Sequence, residues 1–95
     1  TEDYRKQVFS MFGGNVEKVS LCFMPDILSD IFDRFGEDLK IKRVDENTLS
    51  VDVTVQVSRP FFSWVIGTQG KVKIKSPTEV LKQFSDFVDK IKENY

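Results

Sequence analysis

The sequence predicts an α+β fold in which helices cover one face of an antiparallel sheet, and three observations support this prediction. Residues 48–58 alternate apolar and polar side chains, which is the pattern of a long strand with one buried face. Two segments with apolar side chains at helical spacing, residues 25–35 and 77–95, could cover that face. The elements expected after residue 14 follow the order β-α-β-β-α-β-α.

The elements before the valine-rich strand form the first half of this fold. A strand is expected at residues 16–24, followed by a helix that begins at Pro25 and ends at Gly36. A second strand is expected at residues 38–43, and the polar turn at residues 45–47 joins it to the valine-rich strand. The side chains expected to face the core from these elements are Val19, Leu21, Phe23, Ile27, Leu28, Ile31, Phe32, Phe35, Leu39 and Ile41.

The valine-rich strand presents its apolar side chains on one face and is expected to stop at Arg59-Pro60. Residues 61–66 predict a short helix, and residues 71–75 a fourth strand. The last helix is predicted from a capping box, in which Ser76 caps the helix and Glu79 reaches back to the Ser76 amide. Its apolar stripe comprises Val80, Leu81, Phe84, Phe87, Val88, Ile91 and Tyr95.

The first six elements have the split β-α-β order of ferredoxin-like domains. The sequence therefore predicts a ferredoxin-like βαββαβ sandwich with an added C-terminal helix, formed by residues 15–95. Its four-stranded antiparallel sheet should carry helices on one face and have the valine-rich strand inside. Residues 1–14 show a short amphipathic pattern that ends in two glycines, and we expect them to be a linker or the tail of an upstream domain.

Composition restricts the function classes. The chain has 95 residues, a formal net charge of −1, a single cysteine and no histidine. Lone Cys22 fits a reducing, cytoplasmic setting, and no apolar run reaches the length of a membrane helix. Without histidine or a second cysteine we expect no metal site, no cofactor and no catalytic activity.

The outward positions of the predicted strands carry most of the lysines. We expect them on the open face of the sheet, where Asp52 would be the only carboxylate. They can be read as edge protection against aggregation, or as candidate ligands for an anionic partner such as a nucleotide, a nucleic-acid backbone or an acidic patch. Phe23 faces the helices, which argues against base stacking on the open face. The anion-binding candidates are Lys18, Lys40, Lys42, Lys71, Lys73 and Lys75.

The aromatic run contributes three further candidates, Phe61, Phe62 and Trp64. Most such side chains pack in a core, but a core of this size cannot hold all three. We therefore expect one of them, with Phe62 the favoured choice, to be exposed for a neighbouring domain or subunit.

Residues 61–95 also resemble a known bacterial family. An aromatic-x-x-Trp segment (Phe61, Trp64) is followed by glycines (Gly67, Gly70), a Val-x-Ile strand, and a helix that starts at Pro77-x-x-Val80 and ends in Tyr95. Upstream, the Arg34-Phe35-Gly36 helix end fits the same pattern. Together these motifs resemble the C-terminal extension of WYL-domain transcriptional regulators, helix-turn-helix proteins often called DeoR-like.

The resemblance implies a non-catalytic domain for effector sensing and oligomerisation in a transcriptional regulator. The implied partners are upstream WYL and helix-turn-helix domains, a second copy in a homodimer, DNA through the helix-turn-helix domain, and a nucleotide or nucleic-acid effector, with no membrane. Two alternatives remain open: a nucleic-acid-binding or nucleotide-binding module that uses the lysine face, and a small ferredoxin-like enzyme such as an acyl-phosphate hydrolase. The lack of a clustered nucleophile and base in the sequence disfavours the enzyme.

Overall fold

A computed structural model describes residues 15–95, so the predictions for residues 1–14 lie outside the described residues. Its elements follow the predicted order. They are β1 (Val16–Phe23), a 3₁₀ turn (Pro25–Ile27), α1 (Leu28–Phe35), β2 (Lys42–Asp45), β3 (Thr48–Gln56), α2 (Arg59–Gly67), β4 (Val72–Ser76) and α3 (Thr78–Glu93).

The four strands form one antiparallel sheet in the order β2-β3-β1-β4. This order, with helices on one face, is that of a ferredoxin-like sandwich to which α3 has been added. The valine-rich strand β3 lies inside the sheet between β2 and β1, as predicted. β1 pairs over its full length with residues 49–56 of β3, with Val19 opposite Val53.

The apolar face of β1 and β3 forms the core. Every apolar side chain predicted to face inward from these strands is buried, because alternation puts all of them beneath the helices. Ile31 of α1, Val65 of α2 and Val80 of α3 complete the cover from the other side. The buried β1 and β3 set is Val19, Leu21, Phe23, Leu49, Val51, Val53 and Val55, and Val57 continues it just beyond β3.

The second strand differs from its prediction. Pairing begins at Lys42 opposite Ser50, so β2 spans Lys42–Asp45 and not residues 38–43. Residues 36–41 serve instead as the connection from the helix layer to the sheet edge, where Leu39 and Ile41 still pack against the core. A register shift between Arg43 and Asp45 then brings the chain into the turn before β3.

The capping box predicted for the last helix is wrong. Ser76 is the last residue of β4 and pairs with Ser20, so it is not placed to cap a helix. α3 begins at Thr78 instead, Pro77 occupies the cap position, and no side chain caps the end. The carbonyl of Pro77 accepts the first helical bonds, from the amides of Val80 and Leu81.

The prediction that Phe62 is the exposed aromatic residue is also wrong. Phe61 and Phe62 are both buried, and the ring of Phe62 lies 5.5 Å from that of Phe84 and 5.4 Å from that of Phe87. α3 supplies this additional cover, which allows the small core to hold two phenylalanines from α2. Trp64 is the aromatic residue that remains partly exposed.

Candidate anion-binding site

The open face of the sheet carries the alternate, polar side chains of the strands. Lys18, Ser20 and Cys22 of β1 lie opposite residues 54, 52 and 50 of β3, and Lys73 of β4 lies opposite Cys22. Since the buried residues take the other parity, this face has no helix over it. In the described strands, none of these open-face positions holds an aromatic side chain.

A cavity of about 650 Å³ lies on this face, and we call it the lysine groove. Four lysines reach it from β1, from β2, from β4 and from the connection before β2. Three serine hydroxyls and two carboxylates lie among them. The lining residues are Lys18, Ser20, Asp38, Leu39, Lys40, Lys42, Ser50, Val51, Asp52, Lys75 and Ser76.

The strand registers explain why these side chains meet. Lys42 pairs with Ser50, and Ser20 pairs with Asp52 on one side and with Ser76 on the other. The contact with Ser76 depends on a register shift in β4 between the partners of Ser20 and Leu21. The alternation of side chains along the strands predicts that Ser20 and Ser50 share a face with Lys18. It does not predict the register shift in β4 that brings Ser76 beside Ser20.

Positive charges outnumber negative charges in the groove, with four lysines against two carboxylates. Within residues 15–95 the only ion pair joins Lys71 and Asp26, so Lys18, Lys40 and Lys42 are not neutralised by contact with a carboxylate there. The same holds for Lys75 on the opposite side of the groove. A dianionic group such as a phosphate could therefore approach several ammonium groups at once.

The open face carries two carboxylates, one more than expected from the sequence. Asp52 was expected to be its only carboxylate, but Asp38 also lines the groove because residues 36–41 run along the edge of β3. The Ser20 hydroxyl donates a hydrogen bond of 2.5 Å to Asp52 Oδ1. The Asp52 carboxylate is therefore held by a hydrogen bond from a side chain on the same face of the sheet.

The remaining two lysine candidates lie apart from the groove. Lys71 precedes β4, and its Nζ donates to Asp26 Oδ2 at 2.6 Å. This hydrogen bond, together with the positive charge of Lys71, lowers the pKa of Asp26 below its usual value. Lys73 lines a smaller depression of about 230 Å³ beside Cys22. The structure therefore brings together four of the six predicted lysines.

The aromatic candidates form a second feature on the helix side. The Trp64 ring packs edge-on against Phe35 at 5.5 Å, and the Arg34 guanidinium lies 5.1 Å from its centroid. Phe61 and Phe62 are buried, and Phe61 lines a cavity of about 300 Å³ together with Arg34 and Trp64. Periodicity does not predict that Arg34 stacks on Trp64, because that contact joins two helices that are distant in the chain.

No group of three or more Cys, Asp or Glu side chains in residues 15–95 is arranged to hold a metal ion. In the same residues, no helix combines the length and apolar character needed to cross a bilayer.

Comparisons with protein-family models, with curated proteins and with solved structures gave no match to this chain. The resemblance to the C-terminal extension of WYL-domain regulators therefore stays a prediction.

Proposed function

We propose that this chain is a non-catalytic effector-sensing domain of a WYL-type transcriptional regulator, and that a phosphate-bearing effector binds in the lysine groove. The observation that carries the proposal is the convergence of Lys18, Lys40, Lys42 and Lys75 on one cavity. The chain as a whole has a net charge of −1, so this concentration does not follow from a general excess of lysine.

The convergence of the lysines favours binding over edge protection. β2 and β4 are the edges of the sheet, and β4 pairs with β1 only from Ser20 to Phe23, so Lys18 also lies on a segment with a strand on one side only. Edge protection needs lysines at exposed edges but does not require them to line one cavity. Lys18 lines one cavity together with lysines from both edges of the sheet, as an anionic ligand requires.

The chemistry of the groove favours phosphate recognition without base stacking. Lysine ammonium groups and serine hydroxyls are donors that phosphate oxygens accept. Stacking of nucleic-acid bases on a sheet needs exposed aromatic side chains, which the described open-face positions lack. The effector would therefore be a nucleotide or a nucleic-acid backbone held through its phosphates.

The wider role follows from the sequence resemblance. Upstream WYL and helix-turn-helix domains would bind DNA, and effector binding here would alter their relative geometry. Leu81 and Ile91 on α3 and Tyr95 just beyond its end are exposed, and they support the oligomerisation part of this role, since contact with a second copy would remove them from water.

Titration of the 95-residue chain with a single-stranded oligonucleotide of about ten nucleotides tests the phosphate contacts. With four lysine contacts, affinity should fall about 50-fold between 50 and 200 mM salt. Lys18→Ala with Lys42→Ala should flatten the slope of log affinity against log salt by about 1.4.

The matched control replaces Lys82 and Lys90, which are equally exposed but lie on α3. This control variant should retain the wild-type slope. Binding that ignores salt, or that is weakened as much by the control as by the groove variant, would contradict the proposal.

A further inference from the structure

Simple anion binding does not explain the two carboxylates of the lysine groove, and Asp52 is the one that lies in the middle of the sheet. Its carboxylate lies on the interior strand β3, on a face with four lysines, yet it forms an ion pair with none of them. Within residues 15–95 its one hydrogen-bond partner is the Ser20 hydroxyl, which donates to Oδ1. Oδ2 accepts no hydrogen bond from the described residues.

For a plain polyanion this carboxylate is harmful. A negative charge beside the bound phosphate repels it, so a groove that selects only for negative charge would bind better without Asp52. A ligand that carries N–H groups as well as phosphate gains from the same carboxylate, because Oδ2 can accept a charge-assisted hydrogen bond.

We infer that the effector is a nucleotide whose base donates hydrogen bonds to Asp52 while its phosphate lies among the groove lysines. The inference rests on the proposed function, because it needs the groove to bind phosphate. Guanine, adenine and cytosine all carry an exocyclic amine, and a carboxylate is a suitable acceptor for such a group. The base is read at its edge, in keeping with an open face that has no aromatic platform.

The dimensions of the groove allow this arrangement. Lys42 on β2 and Lys75 on β4 are separated by three strand spacings, or about 14 Å. Asp52 on β3 lies between them, so a phosphate near one edge leaves the middle of the sheet for a base. The bond from Ser20 holds the carboxylate in one orientation and leaves Oδ2 for the ligand.

Calorimetric titration with guanosine 5′-monophosphate and with ribose 5-phosphate tests the inference, since the second probe has the phosphate but no base. The wild-type chain should bind the nucleotide about tenfold or more tightly than the sugar phosphate, which is the value of one hydrogen bond to a charged group. Asp52→Asn should reduce that preference, because the amide oxygen that remains is a neutral and weaker acceptor than the carboxylate. It should weaken nucleotide binding and leave binding of the sugar phosphate unchanged or tighter.

Asp33→Asn is the matched control, because Asp33 is exposed on α1 and far from the open face. It should leave both affinities as they are. If Asp52→Asn tightens both probes equally, Asp52 only repels anions, and the inference fails while the proposed function stands. If neither probe binds the wild-type chain, the proposed function fails and the inference fails with it.

Discussion

Thr68 shows how one hydroxyl holds the turn that leads into β4. Its Oγ1 donates to the Val65 carbonyl at 2.7 Å and accepts from the Val72 amide at 3.1 Å, and the residue is buried. The turn also contains Gln69 and Gly70 at positive φ, and backbone hydrogen bonds from Gln69 to Ile66 and from Lys71 to Thr68 help to close it. Thr68 therefore fixes the position from which β4 carries Lys73 and Lys75 onto the open face.

Thr68→Val keeps the shape of this side chain and removes both hydrogen bonds. The Val72 amide is then left buried without an acceptor, so we expect the free energy of unfolding to fall by about 1–3 kcal/mol. Urea denaturation followed by circular dichroism measures the change. Thr54→Val on the exposed face of β3 is the control and should change stability by less than about 0.5 kcal/mol. Equal losses in the two variants would show that the Thr68 hydroxyl contributes nothing particular.

At this scale, alternation along a strand predicted much of the candidate site. The parity of β1 and β3 predicts that Lys18 and Asp52 lie on the open face, as the structure shows. Parity does not predict the hydrogen bond from Lys71 to Asp26, because neither residue lies in a strand. Lys71 precedes β4, and Asp26 lies in the 3₁₀ turn after β1. Parity also could not show that α3 would bury Phe62, since the position of a helix over a core depends on its packing.

Among the elements, β3 carries the largest part of the core. Its apolar residues lie in the core, and the polar residues between them face water or the lysine groove. Two adjacent substitutions can therefore compare the buried and exposed faces of one strand. If both replace a β-branched residue by alanine, the loss of strand propensity is similar in the two variants.

Val53→Ala and Thr54→Ala provide that comparison. Val53 is 3% exposed, and removal of its two methyl groups should lower the free energy of unfolding by about 2–3 kcal/mol from lost burial and the remaining cavity. Thr54 is exposed, so its replacement should cost only the small strand preference of threonine, about 0.5 kcal/mol. Thermal unfolding of both variants measures the difference. If Thr54→Ala is the more damaging change, the two faces of β3 have been assigned the wrong way round.

Element order and type were predictable from periodicity, whereas element ends were less so. β2 starts four residues later than predicted, because the pattern of Leu39 and Ile41 fits an edge strand and a packed connection equally well. The capping box failed for a related reason. Residues 76–79 match its local pattern, but the pairing of Ser76 with Ser20 takes that residue into the sheet.

For the whole molecule, the important property is that the sheet separates two surfaces. Helices and apolar side chains occupy one side, and most of the unpaired lysines of the strands occupy the other. A chain with a net charge of −1 thereby presents a local basic surface, which can attract an anion to one face. The fold class follows from the sequence alone, but a convergent groove became visible only once the strand registers were known.

The most direct test of this account is to map phosphate binding on the protein by NMR. Amide resonances of the 95-residue chain would be recorded during a titration with guanosine 5′-monophosphate. We predict that the largest shifts fall at Lys18, Ser20, Ser50, Asp52 and Lys75, and that α1 and α3 remain nearly unchanged. Shifts concentrated around Trp64 or on α3, or no shifts at millimolar nucleotide, would contradict the claim that the open face of the sheet is the binding surface.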